Sequence, residues 1–201
     1  QGGQPAPDAH RTPGYSMFLL PFIKFPPTHE MVHRVVITQT IISALTILVA
    51  LKLFKSFLRW HWALAGAFLV TISPHLIAVN IYVLTECLFT FFLVLLAWQV
   101  TVLARTKRRF HALMTGLVMG LSLLVRPTML YFIVFLVPAL FVFFKRNTAV
   151  NLALFLAIGF CITYGPWVIR NMVTQPQKST LAISTIHKGI YPNLIYNNDP
   201  R

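Results

Sequence analysis

The chain has 201 residues, 57% of them hydrophobic and 10% charged, with a mean hydropathy of +0.71; an ordinary soluble domain carries roughly a quarter charged residues, so a water-soluble globule is set aside. A net charge of +13, from 17 Lys and Arg against four acids, would raise nucleic acid as a partner in a soluble protein. Here the basic residues crowd into short gaps between apolar runs, as in the cytoplasmic loops of membrane proteins, and no nucleic acid is expected.

Residues 1–30 are rich in Pro and Gly and hold an apolar patch, Tyr15 to Phe25, too short to cross a bilayer and suited to its interface. No basic-then-apolar leader opens the chain at Gln1, and its start is expected to be missing. Apolar runs then follow at 33–53, 62–79, 82–104, 111–126, 128–145 and 149–169, several at or near the roughly 20 residues a spanning helix needs. The expected fold is all-α: a polytopic transmembrane bundle of about six spanning helices over 31–171, with outer-face segments at 1–30 and 172–201.

The gaps carry Lys52/Lys55/Arg59, Arg105/Lys107/Arg108/Arg109 and Lys145/Arg146. Taken as cytoplasmic, they place both visible termini, the turn near Asn80 and the Arg126-Pro127 turn on the outer face. All four acids then lie on that side, as do Arg126 and Arg170 at predicted helix ends. The same basic residues also suit an anionic-lipid patch.

Within the spans, Ala112, Gly116 and Gly120 recur every four residues, a small-residue stripe that lets a neighbouring helix approach. Gly165-Pro166 is expected to interrupt the helix just before Trp167, a break that ends the membrane part of the last span. Cys87 and Cys161 both read as small buried hydrophobes.

Glu86 is the acid that needs a reason, because it lies in the apolar run NIYVLTECLFTFFLVLLAW and acids inside membranes face a cavity or a partner. Tyr82, Glu86 and Thr90 share one helical stripe, expected to face the bundle interior. Either Glu86 pairs with Arg126 or Arg170, or it lines an outward cavity where the arginines hold a phosphate through their planar fork of donors. Both fit a transporter as well as an enzyme. No Gly-rich phosphate loop, GxSxG elbow, HExxH or zinc-spaced cysteine cluster is present. Of the seven histidines, only His75 and His187 are placed near the candidate site at the outer face.

Five strings carry a resemblance: RTPGYSMFLLPF (11–22), SPHLIAVNIYVLTECLF, GLVMGLSLLVRPTML, GPWVIRN and the closing ISTIHKGIYPNLIYNNDP. In order and spacing they resemble the bacterial polyprenyl-phosphate-sugar glycosyltransferases of the protein mannosyltransferase-like, GT-C type, whose relatives include protein O-mannosyltransferases and the aminoarabinose transferase of lipid A. Ser16 stands where that family usually has proline. The resemblance implies a multi-pass enzyme, in a bacterial inner membrane, that moves a sugar from a polyprenyl-phosphate donor to a glycan, lipid or protein acceptor at the non-cytoplasmic face.

The family's catalytic aspartate sits in a loop upstream of R-T-P-G-Y, a part of the pattern this chain lacks. Asp8 is without its surrounding pattern, and the chain is expected to be a fragment of a longer enzyme. On this reading Arg126 and Arg170, with Arg11 secondary, bind the carrier phosphate, and Glu86 orients the acceptor or the arginines. Tyr82 and His187 join the substrate-binding set. No organic cofactor is expected, and divalent-cation dependence is left open. A transporter or lipid flippase, without bond chemistry, is the competing reading, and a noncatalytic scaffold is the third.

Overall fold

The structure is a computed structural model that describes residues 13–22, 29–74 and 85–174. Among these residues it is all-helical, with no strand. Helix α1 spans Gly14–Leu19 and runs into a 3-10 turn, Leu20–Phe22. Helices α2 (His29–Lys55) and α3 (Trp60–Thr71) follow, then α4 (Thr85–Thr106) and α5 (Arg109–Val125). A 3-10 turn, Pro127–Met129, leads into α6 (Leu130–Phe143), and α7 covers Arg146–Thr174.

The turns follow from local chemistry. Pro127 disfavours helical backbone at the residue before it, and Arg126 is extended at φ −144° and ψ 118°, which ends α5 and begins the reversal into α6. At the other end of α5, Lys107 takes a left-handed φ of 54°, a conformation uncommon for a residue with a Cβ. Glu30 in the first turn of α2 and Lys52 and Lys55 in its last complement the helix dipole.

Among the described residues, three helices are long and apolar enough to cross a membrane: α2, α4 and α7. The other expected crossings are shorter. At 1.5 Å per residue, a helix the length of α3 reaches only about 18 Å of a hydrocarbon core about 30 Å thick.

Packing runs across the bundle as α3, α2, α4, α5 and α7, with α6 resting on α7. Leu96 and Leu103 of α4, Met119 and Leu123 of α5, and Leu152 and Leu156 of α7 are among the buried residues of its centre. The outward faces are also apolar: Ile41 and Leu48 on α2 and Phe135 and Val142 on α6 are exposed. Such a surface calls for lipid, since water-facing proteins rarely show contiguous apolar patches of this extent.

The small-residue stripe does what its spacing predicts. Gly116 lies against the Leu156 carbonyl and Gly120 against Thr163, while Gly159 of α7 faces the Leu113 carbonyl in return. A Cβ at Gly116 would overlap backbone, so glycine is needed for this approach. The contacts advance together along both chains, so α5 and α7 run parallel.

Two expectations are corrected. Pro166 does not interrupt the last helix, because α7 continues through it to Thr174; proline removes one backbone hydrogen bond and kinks a helix without having to stop it, which membrane helices tolerate. Cys161 is exposed on α7, while Cys87 is buried as expected.

Candidate functional site

At one end of the bundle the first turn of α4 meets the last residue of the α5 turn. An acid is favoured at a helix N-terminus, where unpaired N–H groups carry partial positive charge, and Glu86 occupies that place in α4. The Thr85 hydroxyl donates to Glu86 Oε2 at 3.3 Å. Glu86 Oε1 then lies 3.6 Å from Arg126 Nη1, an ion pair longer than a hydrogen bond. The Arg126 guanidinium also stands 5.4 Å above the ring of Phe89, one turn further along α4.

The pair is not sealed. The Arg126 side chain is 42% exposed and that of Glu86 32%, so a ligand can reach the guanidinium from outside the bundle. Of the two readings of Glu86, pairing with Arg126 is realised, and it leaves the arginine accessible.

Behind the pair lies a polar cluster that pattern reading did not single out. Gly14 of α1 packs on the C-terminal end of α5, where an added Cβ would stand 2.6 Å from the Leu124 carbonyl oxygen. Tyr15 is the next residue. Its hydroxyl is buried without a regular hydrogen bond among the described residues. Burial, with Cys87 and Glu86 nearby, pushes the Tyr15 phenol up to about 12, partly opposed by the Gln39 side chain. Gln39 of α2 is itself buried; its backbone carbonyl accepts from Cys87 Sγ at 3.3 Å, and that sulfur is 3.4 Å from Ser43 Oγ.

The signal for these residues was present. Gln39 and Ser43 are four apart in the apolar run VVITQTIISA, the same helical stripe logic that drew attention to Glu86. Tyr15 lies within RTPGY, but its inward position depends on α1 docking against α5.

Arg170 lies at the same end of the bundle, since α5 and α7 are parallel and Arg126 and Arg170 each follow the Gly120–Thr163 contact by similar lengths of chain. It is exposed, stands 4.9 Å over the Trp167 ring and donates to Asn171 Oδ1 at 3.2 Å. The structure therefore brings Glu86 and Arg126 into contact, and sets Arg170 on the end of a separate helix. Arg11, Tyr82 and His187, with Asp8 and His75, lie outside the described residues. No group of three His, Cys, Asp or Glu able to hold a metal occurs among the described residues.

The basic turns gather at the opposite end, because α2 and α4 run parallel: Gln39 and Ser43 meet Cys87 near one end, and Lys52 meets the Trp98 ring and Ser56 meets Arg105 near the other. Both described acids, Glu30 and Glu86, start their helices at the end away from these turns. Comparison of the chain with protein-family models, curated proteins and solved structures finds no match to any of them.

Proposed function

We propose that the chain is part of a GT-C type membrane glycosyltransferase, and that the Glu86–Arg126 end is where it receives a sugar carried on polyprenyl phosphate. The observation that carries the proposal is the accessible Glu86–Arg126 pair at the bundle end opposite the basic turns. With those turns cytoplasmic, this end faces the outer side of a bacterial inner membrane, and six helices cross it. An isoprenoid tail would lie along the apolar exterior while its phosphate meets arginine at the boundary. The sequence resemblance supplies the reaction class.

In the reaction, the acceptor hydroxyl oxygen forms a bond to the anomeric carbon as the bond from that carbon to the phosphate oxygen breaks. The acceptor's proton passes to a carboxylate base, and polyprenyl phosphate departs with the bonding pair. Guanidinium donors aimed at the departing phosphate stabilise the charge that builds there. Arg126 is assigned that role, with Arg170 and Arg11 as further phosphate ligands and Tyr82 and His187 as substrate contacts. Glu86 orients Arg126. The base is not assigned to a described residue.

Membranes containing the full-length protein, supplied with radiolabelled polyprenyl-phosphate sugar, test the proposal. Arg126→Ala is expected to reduce transfer by about tenfold or more, the range for a lost charge-assisted hydrogen bond. Transfer unchanged in both Arg126→Ala and Arg170→Ala would remove the phosphate-site assignment. Binding of the donor with no release of labelled sugar to any acceptor would favour a transporter.

A further inference from the structure

The end opposite the candidate site carries its own pattern. There the three basic turns are joined by contacts between cations and neighbouring groups. Between the first and second turns, Arg105 donates to the Ser56 carbonyl and stands 5.6 Å from the Phe57 ring, while Lys52 lies 5.6 Å from the Trp98 ring. Between the second and third, Lys107 reaches the Phe144 ring at 5.7 Å and Arg109 the Phe155 ring at 5.5 Å. Lys55 is 4.7 Å from the Trp60 ring. Separate loops in sequence thus become one cationic surface.

Plain topology requires only that cations lie on this side of the membrane. It does not require them to be contiguous. No described acid offsets them, since Glu30 and Glu86 lie at the far end. Like charges brought together repel, and the surface calls for anions from outside the chain. The aromatic rings hold the ammonium and guanidinium groups in place, so less side-chain freedom is lost when an anion arrives.

Location selects the anion. The cations sit at the rim of helices with apolar outer faces, and Phe57, Trp60 and Trp62 are exposed beside them, as tryptophan commonly is at headgroup level. A phospholipid places its phosphate at this rim and its acyl chains along those outer faces. A soluble phosphate compound or a nucleic acid would leave the exposed rings in water.

We propose that the joined basic turns form a binding surface for anionic phospholipid headgroups, chosen over zwitterionic ones, at the end of the bundle remote from the Glu86–Arg126 site. This surface does not depend on the glycosyltransferase reading and serves any function of the chain.

Tryptophan quenching by brominated phospholipids tests it on the full chain in bilayers, with Trp167→Phe as background so that the remaining tryptophans report on Trp60, Trp62 and Trp98. One Lys or Arg near an anionic leaflet is worth about a fivefold gain in association. Brominated phosphatidylglycerol is therefore expected to associate at least about fivefold more strongly than brominated phosphatidylcholine. High salt should abolish the preference without any substitution. Lys52→Gln/Lys55→Gln should lower it by about fivefold or more, while Arg34→Gln, at the other end, leaves it unchanged. Equal association of the two lipids with the unsubstituted surface would overturn the proposal, as would displacement of the anionic lipid by millimolar-range inorganic phosphate, which would point to a soluble anion.

Discussion

Glu86 and Arg126 meet at 3.6 Å between the start of α4 and the end of α5, joined as an ion pair while both remain open to the surroundings. A double-mutant cycle with Glu86→Gln and Arg126→Gln, read by thermal unfolding in detergent, is expected to give a coupling of about 0.5 kcal/mol, in the range of exposed pairs. A coupling of several kcal/mol would mean a sealed structural pair and no accessible guanidinium.

The α5–α7 contact separates two glycines of similar helical setting. Gly116→Ala places a Cβ into the Leu156 carbonyl, and overpacking of this kind costs about 1–3 kcal/mol. Gly165→Ala meets nothing within 4 Å and should be neutral or slightly stabilising in the same unfolding assay. Equal effects at the two positions would contradict the close parallel packing.

Tyr15 gives a pH signature. Its folded phenol is raised from 10.0 to about 12, mainly by burial, so its stabilising contribution is complete below pH 10 and is lost as pH rises from there through about 12, where the unfolded phenol ionises first. An ultraviolet absorbance titration is expected to lose a component near pH 12 in Tyr15→Phe. Loss of a component near pH 10 instead, the ordinary phenol value, would place the Tyr15 ring in water.

The docking of α1 is checked through the same phenol. Gly14→Val sets a branched side chain against the Leu124 carbonyl, which should dislodge α1 and return the Tyr15 titration toward 10, the ordinary phenol value. A component that stays near 12 in this variant would show that Gly14 does not hold Tyr15 in place.

Sequence pattern identified the elements whose causes are local. The Ala112/Gly116/Gly120 spacing marked the packing stripe, Arg126-Pro127 marked a turn, and Glu86, an acid within an apolar run, marked a group that needs a partner, which Arg126 supplies, because each rule concerns neighbours on one helix or one bend. Tyr15 with Gln39, by contrast, depends on α1 folding back onto α5, and no local period encodes that contact. Pro166 misled for a different reason: a missing backbone hydrogen bond is a local fact, but whether the helix kinks or stops depends on what packs beside it.

The proposed reaction class rests on the resemblance to lipid-phosphate sugar transferases, whereas the ion pair, its exposure and its separation from the basic turns are properties of the folded chain. The two lines of support are independent. Loss of the family reading would leave the Glu86–Arg126 end as an accessible charged site of another kind.

The most direct measurement is the affinity of the purified full-length protein for polyprenyl phosphate, compared between the unsubstituted chain and Arg126→Ala. A guanidinium that holds the phosphate through charge-assisted hydrogen bonds makes the expected loss about tenfold or more. Identical affinity in the two proteins would contradict the assignment of this end of the bundle to a lipid-linked phosphate.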